Sequence, residues 1–322
     1  MDAIDRKLLW ELHENCRTSY NTLSKVLGIS ANGVKKRVAK LIDTGVIYNY
    51  TIALSIDALN AEVLYGLIYT DGEEHAQDFI NQIGAHPMIH VVGTIASLTG
   101  GAYIISAQYI GTHGLAELGH FLRTHDHVSD VELYPLLIPK DHADLQAFPT
   151  RTLRTEGEFT KLELKVMQCL LDDARMSIST IASLTGLTAR RVGRIIQQLM
   201  NRGLMFSVRW NLSAGGLDVV IIRIRVDERQ KSIKEVSEWL RSKFPDEFWL
   251  PYISAKEPFI FAIFVVQNMQ IAETIAHTIK DAPFVKSIAV SVQFSETKFP
   301  WLGKLKIQEM IHNAGLTTLK KP

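Results

Sequence analysis

The first 55 residues alternate between apolar and polar positions with the period of an α-helix. Apolar residues at helical spacing predict three helices, over residues 4–14, around 23–27, and from 31 to about 44. Ser19 and Ser30 can cap the second and third helices, Gly28 suits the tight turn between them, and Gly45 ends the third. The β-branched and aromatic run 46–55 predicts a two-stranded wing. This order predicts a winged helix-turn-helix, whose last helix enters the major groove of DNA.

The same pattern returns 158 residues further along the chain. A segment that starts at Ile4 aligns without a gap, over 52 positions, with a segment that starts at Leu162. Gly28 then meets Gly186, and the second copy again has a polar cap, Thr188, in front of its long helix. Two copies are too few for a solenoid. The chain is therefore predicted to consist of two similar units, each a helical module followed by a strand-rich one.

Each strand-rich module contains strand and helix patterns in the order βαββαβ. The predicted elements are 62–70, 75–83, 90–95, 102–109, 115–123 and 128–133 in the first module, and 219–226, 232–243, 248–254, 259–266, 270–280 and 285–292 in the second. The run 259–266 has no polar residue, so both of its faces need cover. We expect one face to pack on helices and the other on the sister module of the same chain. Pairing between two chains is the alternative.

Charge is distributed unevenly along the 322 residues, although the net charge is only +1. Residues 1–55 hold 8 basic and 5 acidic residues, 56–140 hold 2 and 10, and 159–210 hold 8 and 3. Basic modules favour polyanions, because contacts to phosphates release condensed counterions. The helical modules, and not the strand-rich ones, are therefore the predicted binding surface for double-stranded DNA.

The two long helices carry the candidate DNA-binding residues on their polar faces. Asn32 can read adenine, the lysines suit phosphates, and arginines suit guanine as well as phosphates. The predicted contacts are Ser30, Asn32, Lys35, Lys36, Arg37 and Lys40 in the first copy, and Thr188, Arg190, Arg191 and Arg194 in the second. Because Asn32 aligns with Arg190, the two copies should prefer different half-sites.

The first 50 residues resemble the N-terminal domain of the leucine-responsive regulatory protein (Lrp/AsnC) family. The resemblance lies in an Ile-Asp helix start, in LSKVLGIS, and in the ending that contains Arg37, Leu41, Gly45 and Ile47. It implies a sequence-specific transcription regulator in which a ferredoxin-like βαββαβ sandwich follows each winged helix. It also implies an α+β chain with these parts: winged domain 1–55, sandwich 56–140, linker 141–158, second winged domain 159–213, second sandwich 214–296 and tail 297–322.

In this family the sandwich binds an amino-acid effector at a turn near the interface between two sandwiches. The corresponding positions here are Thr99, Gly100 and Gly101 in the first sandwich, and Lys256 and Glu257 in the second. The first turn lacks the acid that would hold an α-amino group, so an amino acid is not the expected effector. The resemblance also implies homo-oligomers through the sandwich domains.

Several other functions remain as alternatives. Some relatives of this family decarboxylate sirohaem, but the first sandwich offers only Arg123 to hold its carboxylates. A scaffold with protein-binding winged domains is a further alternative. Six of the seven histidines in the first sandwich lie close together in sequence but form no recognised metal-ligand spacing: His86, His90, His113, His120, His125 and His127. We expect no enzyme activity, no cofactor and no metal.

The remaining features favour an ordinary intracellular globular protein. The two cysteines, Cys16 and Cys169, form no CxxC pair and are expected to pack in the helical modules. The chain has neither an apolar run of membrane-spanning length nor a signal-peptide pattern, so we expect a cytoplasmic location. The tail around Trp301 predicts an amphipathic helix that packs on the protein or, alternatively, contacts a partner.

Overall fold

The computed structural model describes residues 1–96, 101–137 and 157–316. The chain divides into two compact units, and each unit takes one segment from each copy of the repeat. The first comprises Met1–Asn60, Pro149–Asn211 and Pro300–Pro322, and the second comprises Ala61–Phe148 and Leu212–Phe299. The predicted linker, 141–158, lies outside the described residues except for its last two. In the described part of the chain, no helix is long and apolar enough to cross a membrane.

The elements follow the predicted order in both copies. The first copy contains α1 (Ala3–Glu14), α2 (Tyr20–Leu27), α3 (Ala31–Asp43), β1 (Ile47–Leu54), α4 (Ile56–Leu59), β2 (Glu62–Thr70), α5 (Ala76–Gly84), β3 (Ile89–Ile95), β4 (Ala102–Tyr109), α6 (Gly111–Arg123) and β5 (Val128–Leu137). The second contains α7 (Lys161–Leu170), α8 (Ile178–Thr185), α9 (Ala189–Asn201), β6 (Leu204–Trp210), β7 (Asp218–Val226), α10 (Ile233–Lys243), β8 (Phe248–Ser254), β9 (Phe259–Val266), α11 (Met269–Lys280), β10 (Val285–Lys298) and α12 (Leu302–Asn313).

The helices of the first unit begin and end where their capping residues place them. The side chain of Ser19 accepts a hydrogen bond from the backbone N–H of Thr22 at the start of α2. Gly28 follows α2 with φ +67°, and Gly186 follows α8 with φ +71°, a region that favours glycine. The aligned glycines therefore make the same turn in both copies, as the sequence predicted.

The predicted two-stranded wing is wrong in one respect: each copy supplies a single strand. β1 pairs antiparallel with β6, and Ile52 lies opposite Phe206. The sheet therefore joins the two helix-turn-helix copies instead of closing a hairpin within either. Ile52 and Phe206 are both buried in a core that also contains residues of α7, α8 and α9. The two copies thus form one unit with a shared core.

Helix α12 belongs to this shared core. Ile307 and Ile311 are buried in it, and Gly303 lies so close to the backbone of Leu54 that a Cβ atom would be 2.2 Å from the Leu54 carbonyl oxygen. The prediction that the tail packs on the protein is confirmed. The amphipathic pattern predicted that one face of the helix is buried, but it could not predict that this face packs on β1.

The second unit is a closed barrel of eight strands from both strand-rich modules. The strand order is β10-β3-β4-β2-β5-β8-β9-β7. Two pairings join the modules: β10 with β3, and β5 with β8. Pairing of the two modules within one chain is therefore confirmed. Strand β10 continues six residues beyond the predicted 285–292, and these extra residues make most of the contact with β3.

Strand β9 is covered on both faces, as its apolar run predicted. Ile260 and Phe264 pack with α10 and α11 in one core, whereas Phe261 points to the other face, where its ring lies 4.6 Å from that of Tyr65. The inner face is less apolar than expected, because it also holds Glu132 and Arg223, whose side chains form an ion pair of 2.8 Å. The facing sheets therefore enclose a polar cluster as well as aromatic rings.

Candidate nucleic-acid interface

Helix α3 is fixed in place by its cap and by three buried side chains. The hydroxyl of Ser30 accepts a hydrogen bond of 3.0 Å from the backbone N–H of Gly33. Val34, Val38 and Leu41 are buried at the spacing of one helix face. Ile42, the next residue after Leu41, is apolar but 45% exposed, so the buried face ends at Leu41.

The opposite face of α3 presents cations to solvent. Lys35, Lys36 and Lys40 are exposed, and none forms an ion pair within the described part of the chain. Asn32 is exposed in the first turn of the helix. In helix-turn-helix proteins, residues of the first turn reach base edges, whereas cations further along meet phosphates. The four side chains are therefore placed as the DNA-binding prediction requires.

Arg37 is only partly exposed, and its guanidinium forms ion pairs within the protein. Its guanidinium lies 2.8 Å from the carboxylate of Asp2 and 2.7 Å from that of Asp5, at the start of α1. The hydrogen bonds to Asp5 and Asp2 raise the pKa of Arg37. These ion pairs tie α3 to α1, and a contact from the remaining N–H donors of Arg37 to a phosphate stays a prediction.

Helix α9 repeats the arrangement with arginines. Thr188 accepts a hydrogen bond of 3.3 Å from the backbone N–H of Arg191, and the helix buries Val192, Ile195, Ile196 and Leu199. Arg190, Arg191 and Arg194 are exposed and form no ion pair among the residues that the structure describes. Planar guanidinium groups suit bidentate contacts to guanine and to phosphate. The second helix therefore offers a different contact chemistry from the first.

In the second copy, Arg202 forms the arginine–carboxylate ion pair that Arg37 forms in the first. Ile195 occupies the position aligned with Arg37, but Arg202 reaches Glu163 in the first turn of α7 at 3.0 Å and stacks 4.1 Å from the ring centroid of Phe159. Burial acts to raise the pKa of Glu163, but hydrogen bonds from Thr160 and Arg202 outweigh it, and the pKa is lowered. The sequence analysis missed this pair, because the arginine lies at a different position of the repeat.

Two aligned arginines hold the copies together. Arg17 donates hydrogen bonds to the backbone oxygens of Ala174 (2.7 Å) and Met176 (2.9 Å). In the other direction, the guanidinium of Arg175 stacks over Tyr20, 4.9 Å from its ring centroid. Arg17 and Arg175 occupy equivalent positions of the repeat, so their alignment was the available signal. These contacts, with the β1–β6 sheet, fix the spacing of α3 and α9.

The predicted effector residues are not brought together by the described contacts. Thr99 and Gly100 lie outside the described residues. Gly101 packs against Glu74 and Thr70, where a Cβ atom would be 2.1 Å from a carboxylate oxygen of Glu74. Lys256 and Glu257 are adjacent and form an exposed ion pair of 4.0 Å. None of these contacts forms a recognisable pocket for an α-amino acid.

Both cysteines lie in the shared core of the first unit. Cys16 and Cys169 are free and buried, which confirms the packing prediction. Burial raises the pKa of the Cys16 thiol to about 12. Among the described residues, no group of three or more His, Cys, Asp or Glu side chains is placed to hold a metal ion.

Comparison with known proteins matches both helical modules to one family. Residues 1–48 and 159–204 match the family described as winged helix-turn-helix DNA-binding. Two such domains, together with the eight-stranded barrel, define a duplicated winged helix-turn-helix protein. The chain is also similar to helix-turn-helix-type transcriptional regulators, which agrees with its resemblance to the Lrp/AsnC family in a tandem duplicated form.

Two curated relatives are similar over 18% and 47% of this chain. The helix-turn-helix-type transcriptional regulator LysM of Sulfurisphaera tokodaii is 42% identical over 57 residues, which cover 18% of this chain and 41% of that protein. The regulator FL11 of Pyrococcus abyssi is 24% identical over 153 residues, 47% of this chain and 97% of that protein. For the first relatives found, the alignment spans only about two fifths of their length, 43% and 40%.

Similarity to solved structures can extend over nearly the whole chain. The siroheme decarboxylase NirDL matches 97% of this chain and 99% of its own, with a TM-score of 0.56 and 12% identity. At that identity the likeness concerns the fold alone. It supports the architecture of two winged domains and two sandwich modules in one polypeptide.

Proposed function

We propose that the chain is a sequence-specific DNA-binding transcription regulator that uses both winged domains. The observation that carries this proposal is the pair of capped helices, α3 and α9, each of which exposes three cations without an ion pair in the described residues. Winged helix-turn-helix domains match at residues 1–48 and 159–204, and relatives named as transcriptional regulators support the proposal.

The two helices are proposed to read different half-sites. Asn32 reads adenine in one half-site, and Arg190 or Arg194 reads guanine in the other, because these pairs match the donor and acceptor patterns of the major groove. Lys35, Lys36 and Lys40 position the helix on phosphates. The bound DNA therefore carries two unlike half-sites at a fixed spacing, in place of the palindrome that an identical pair would require.

The proposal is tested by fluorescence anisotropy on a DNA fragment selected from genomic DNA with the full chain. Reversing three charges on α3 (Lys35→Glu, Lys36→Glu and Lys40→Glu) should abolish specific binding. The matched control reverses three exposed lysines on the sandwich helices (Lys234→Glu, Lys243→Glu and Lys280→Glu). The control has the same net charge as the test variant. Equal affinity of the two variants would refute the role of α3.

The barrel unit is proposed to bind a small-molecule effector and to carry contacts between copies of the chain. The interior cavity of the barrel, described in the next subsection, supports the first part. Oligomer formation follows from the family resemblance, and sedimentation velocity of the full chain tests it directly. A single species of one chain at all concentrations would remove that part of the proposal.

A siroheme decarboxylase is the second candidate function. The full-length likeness to NirDL favours it. Two observations argue against it. Arg123, the arginine of the first sandwich that could hold the carboxylates of siroheme, is exposed on α6. The barrel cavity has a volume of about 120 Å³, whereas usual ligand sites have roughly 300–1,000 Å³. We therefore propose that the chain is not an enzyme. Incubation with siroheme followed by mass analysis tests this, and loss of carbon dioxide from the tetrapyrrole would overturn it.

A further inference from the structure

The barrel encloses a small cavity between its two facing sheets. Its volume is about 120 Å³, and both modules contribute to its wall. The lining residues are Tyr65, Leu67, Tyr69, Ile95, Ala96, Ala102, Ile221, Arg223, Phe261, Ala289 and Ser291. Seven of the eleven lining residues are apolar, and the polar groups belong to the tyrosines, Arg223 and Ser291.

Tyr65 places an unsatisfied hydroxyl in this wall. The side chain is buried, and its hydroxyl has no hydrogen-bond partner in the described structure. The ring is held between Phe261, at 4.6 Å, and Tyr252, at 5.5 Å, so the hydroxyl cannot turn away to find one. A buried hydroxyl without a partner is costly and calls for a specific explanation. A bound ligand that accepts a hydrogen bond from this hydroxyl would explain it.

Among the described residues that line the cavity, Arg223 carries the only formal charge. One of its terminal nitrogens, Nη1, donates to Glu132 (2.8 Å) and to the hydroxyl of Tyr134 (3.1 Å), and no other nitrogen of the group has a described partner. A guanidinium has five N–H donors. The group therefore retains donors for a second acceptor.

Glu132, the carboxylate nearest to Arg223, is already engaged by other groups of the protein. Its carboxylate already accepts hydrogen bonds from Tyr69, Tyr134 and Arg223. These contacts outweigh its partial burial and lower its pKa, so it remains ionised. It is also not part of the cavity wall. The wall thus offers donors and one cation but no carboxylate, which selects for an anion that lacks an amino group.

We propose that this cavity binds a short, unaminated carboxylate. Arg223 and the hydroxyl of Tyr65 would hold its oxygens, and its hydrocarbon end would lie among Leu67, Ile221 and Phe261. Benzene, with six non-hydrogen atoms, fills a cavity of about 150 Å³, so about five such atoms fit here. The inference deepens the proposed effector role, but binding of the carboxylate itself does not depend on DNA.

Propionate, with five non-hydrogen atoms, is the probe. Isothermal titration of the full chain without DNA should give a Kd between about 10 μM and 10 mM, given the small size of the ligand. Tyr65→Phe removes only the hydroxyl and should weaken binding by roughly five- to thirty-fold. Tyr109→Phe is the matched control, because Tyr109 is buried on the helix-covered face of the same sheet. It should leave the Kd unchanged.

Thermal unfolding separates this role of Tyr65 from a structural one. Without ligand, Tyr65→Phe should unfold at the same temperature as the wild type or higher, because it removes an unsatisfied buried group. Propionate should raise the unfolding temperature of the wild type and leave that of Tyr65→Phe nearly unchanged. A lower unfolding temperature of Tyr65→Phe without ligand would mean that the hydroxyl stabilises the empty protein, which contradicts the proposal.

A second variant and two further ligands complete the test. Ala102→Leu fills the cavity and should prevent propionate binding in a chain that still folds. Propylamine and alanine should bind at least ten-fold more weakly than propionate. Equal propionate affinity in Ala102→Leu, or tighter binding of alanine, would overturn the proposal. DNA affinity measured without propionate reports on the proposed function separately, so failure of one does not imply failure of the other.

Discussion

At the residue scale, the two copies form an equivalent contact with arginines at different positions of the repeat. In each copy an arginine–carboxylate ion pair connects the long helix, or the residue after it, to the start of the first helix. Arg37 was predicted to bind DNA because its position is basic and near the polar face of α3. Only the structure reveals the carboxylates of Asp2 and Asp5 beside it. Residue type and spacing predict which face a side chain approaches, but not which partner takes its charge.

The Arg202–Glu163 pair should make the winged unit sensitive to acid. The pKa of Glu163 is lowered in the folded chain, so its contribution to stability is present above the ordinary glutamate value near 4.5 and is lost as the pH falls through the folded-state pKa. Glu163→Gln should cost about 1–2 kcal/mol at pH 7 and less at pH 3.5. Urea unfolding at several pH values, monitored by tryptophan fluorescence, measures this. A cost that does not change with pH would contradict the assignment.

The buried cysteines should be chemically inert in the folded chain. The pKa of the Cys16 thiol is raised to about 12, chiefly by burial, so very little thiolate exists at pH 8. We expect Ellman's reagent to titrate no thiol in the native protein within minutes and two thiols in guanidinium chloride. Rapid reaction of one thiol in the native protein would show that the core around Cys16 opens readily.

At the element scale, the sequence predicted which segments are helices and strands far better than which of them pair. Most bounds agree to within one or two residues, because caps, glycines and apolar periodicity act locally. The two-stranded wing failed because the run after α3 was assigned to a hairpin, although β1 finds its partner in β6. Likewise, the extension of β10 is polar and partly exposed, so no apolar pattern marks residues 293–298 as a strand.

Helix α12 offers a direct test of element packing. Gly303→Ala should destabilise the winged unit by about 1–3 kcal/mol, because the new methyl group would meet the backbone of Leu54. Gly193→Ala is the control within the same unit. Its Cβ would have no neighbour closer than 3.8 Å, and alanine favours a helix interior, so a gain of about 0.5–1 kcal/mol is expected. If both variants shift the urea midpoint alike, α12 does not pack on β1 as described.

At the scale of the whole molecule, the duplication was the most informative feature of the sequence. It predicted two winged domains and two sandwich modules, and continuous apolar strands predicted that the modules pair within the chain. The polar cluster of Tyr69, Glu132 and Arg223 inside the barrel could not be predicted, because its members lie on strands of different modules. The candidate DNA-contacting residues followed from sequence alone, whereas the ties that fix their spacing did not.

The central claim is that one chain contacts DNA with both α3 and α9. The most direct test is the salt dependence of binding to one selected DNA fragment, measured for the wild type and for two variants. One variant carries Lys35→Gln, Lys36→Gln and Lys40→Gln, and the other carries Arg190→Gln, Arg191→Gln and Arg194→Gln. Each lost phosphate contact should reduce the slope of log K against log salt by about 0.9, so each variant should reduce it by roughly two to three. A slope that falls in only one variant would contradict the claim that both helices bind.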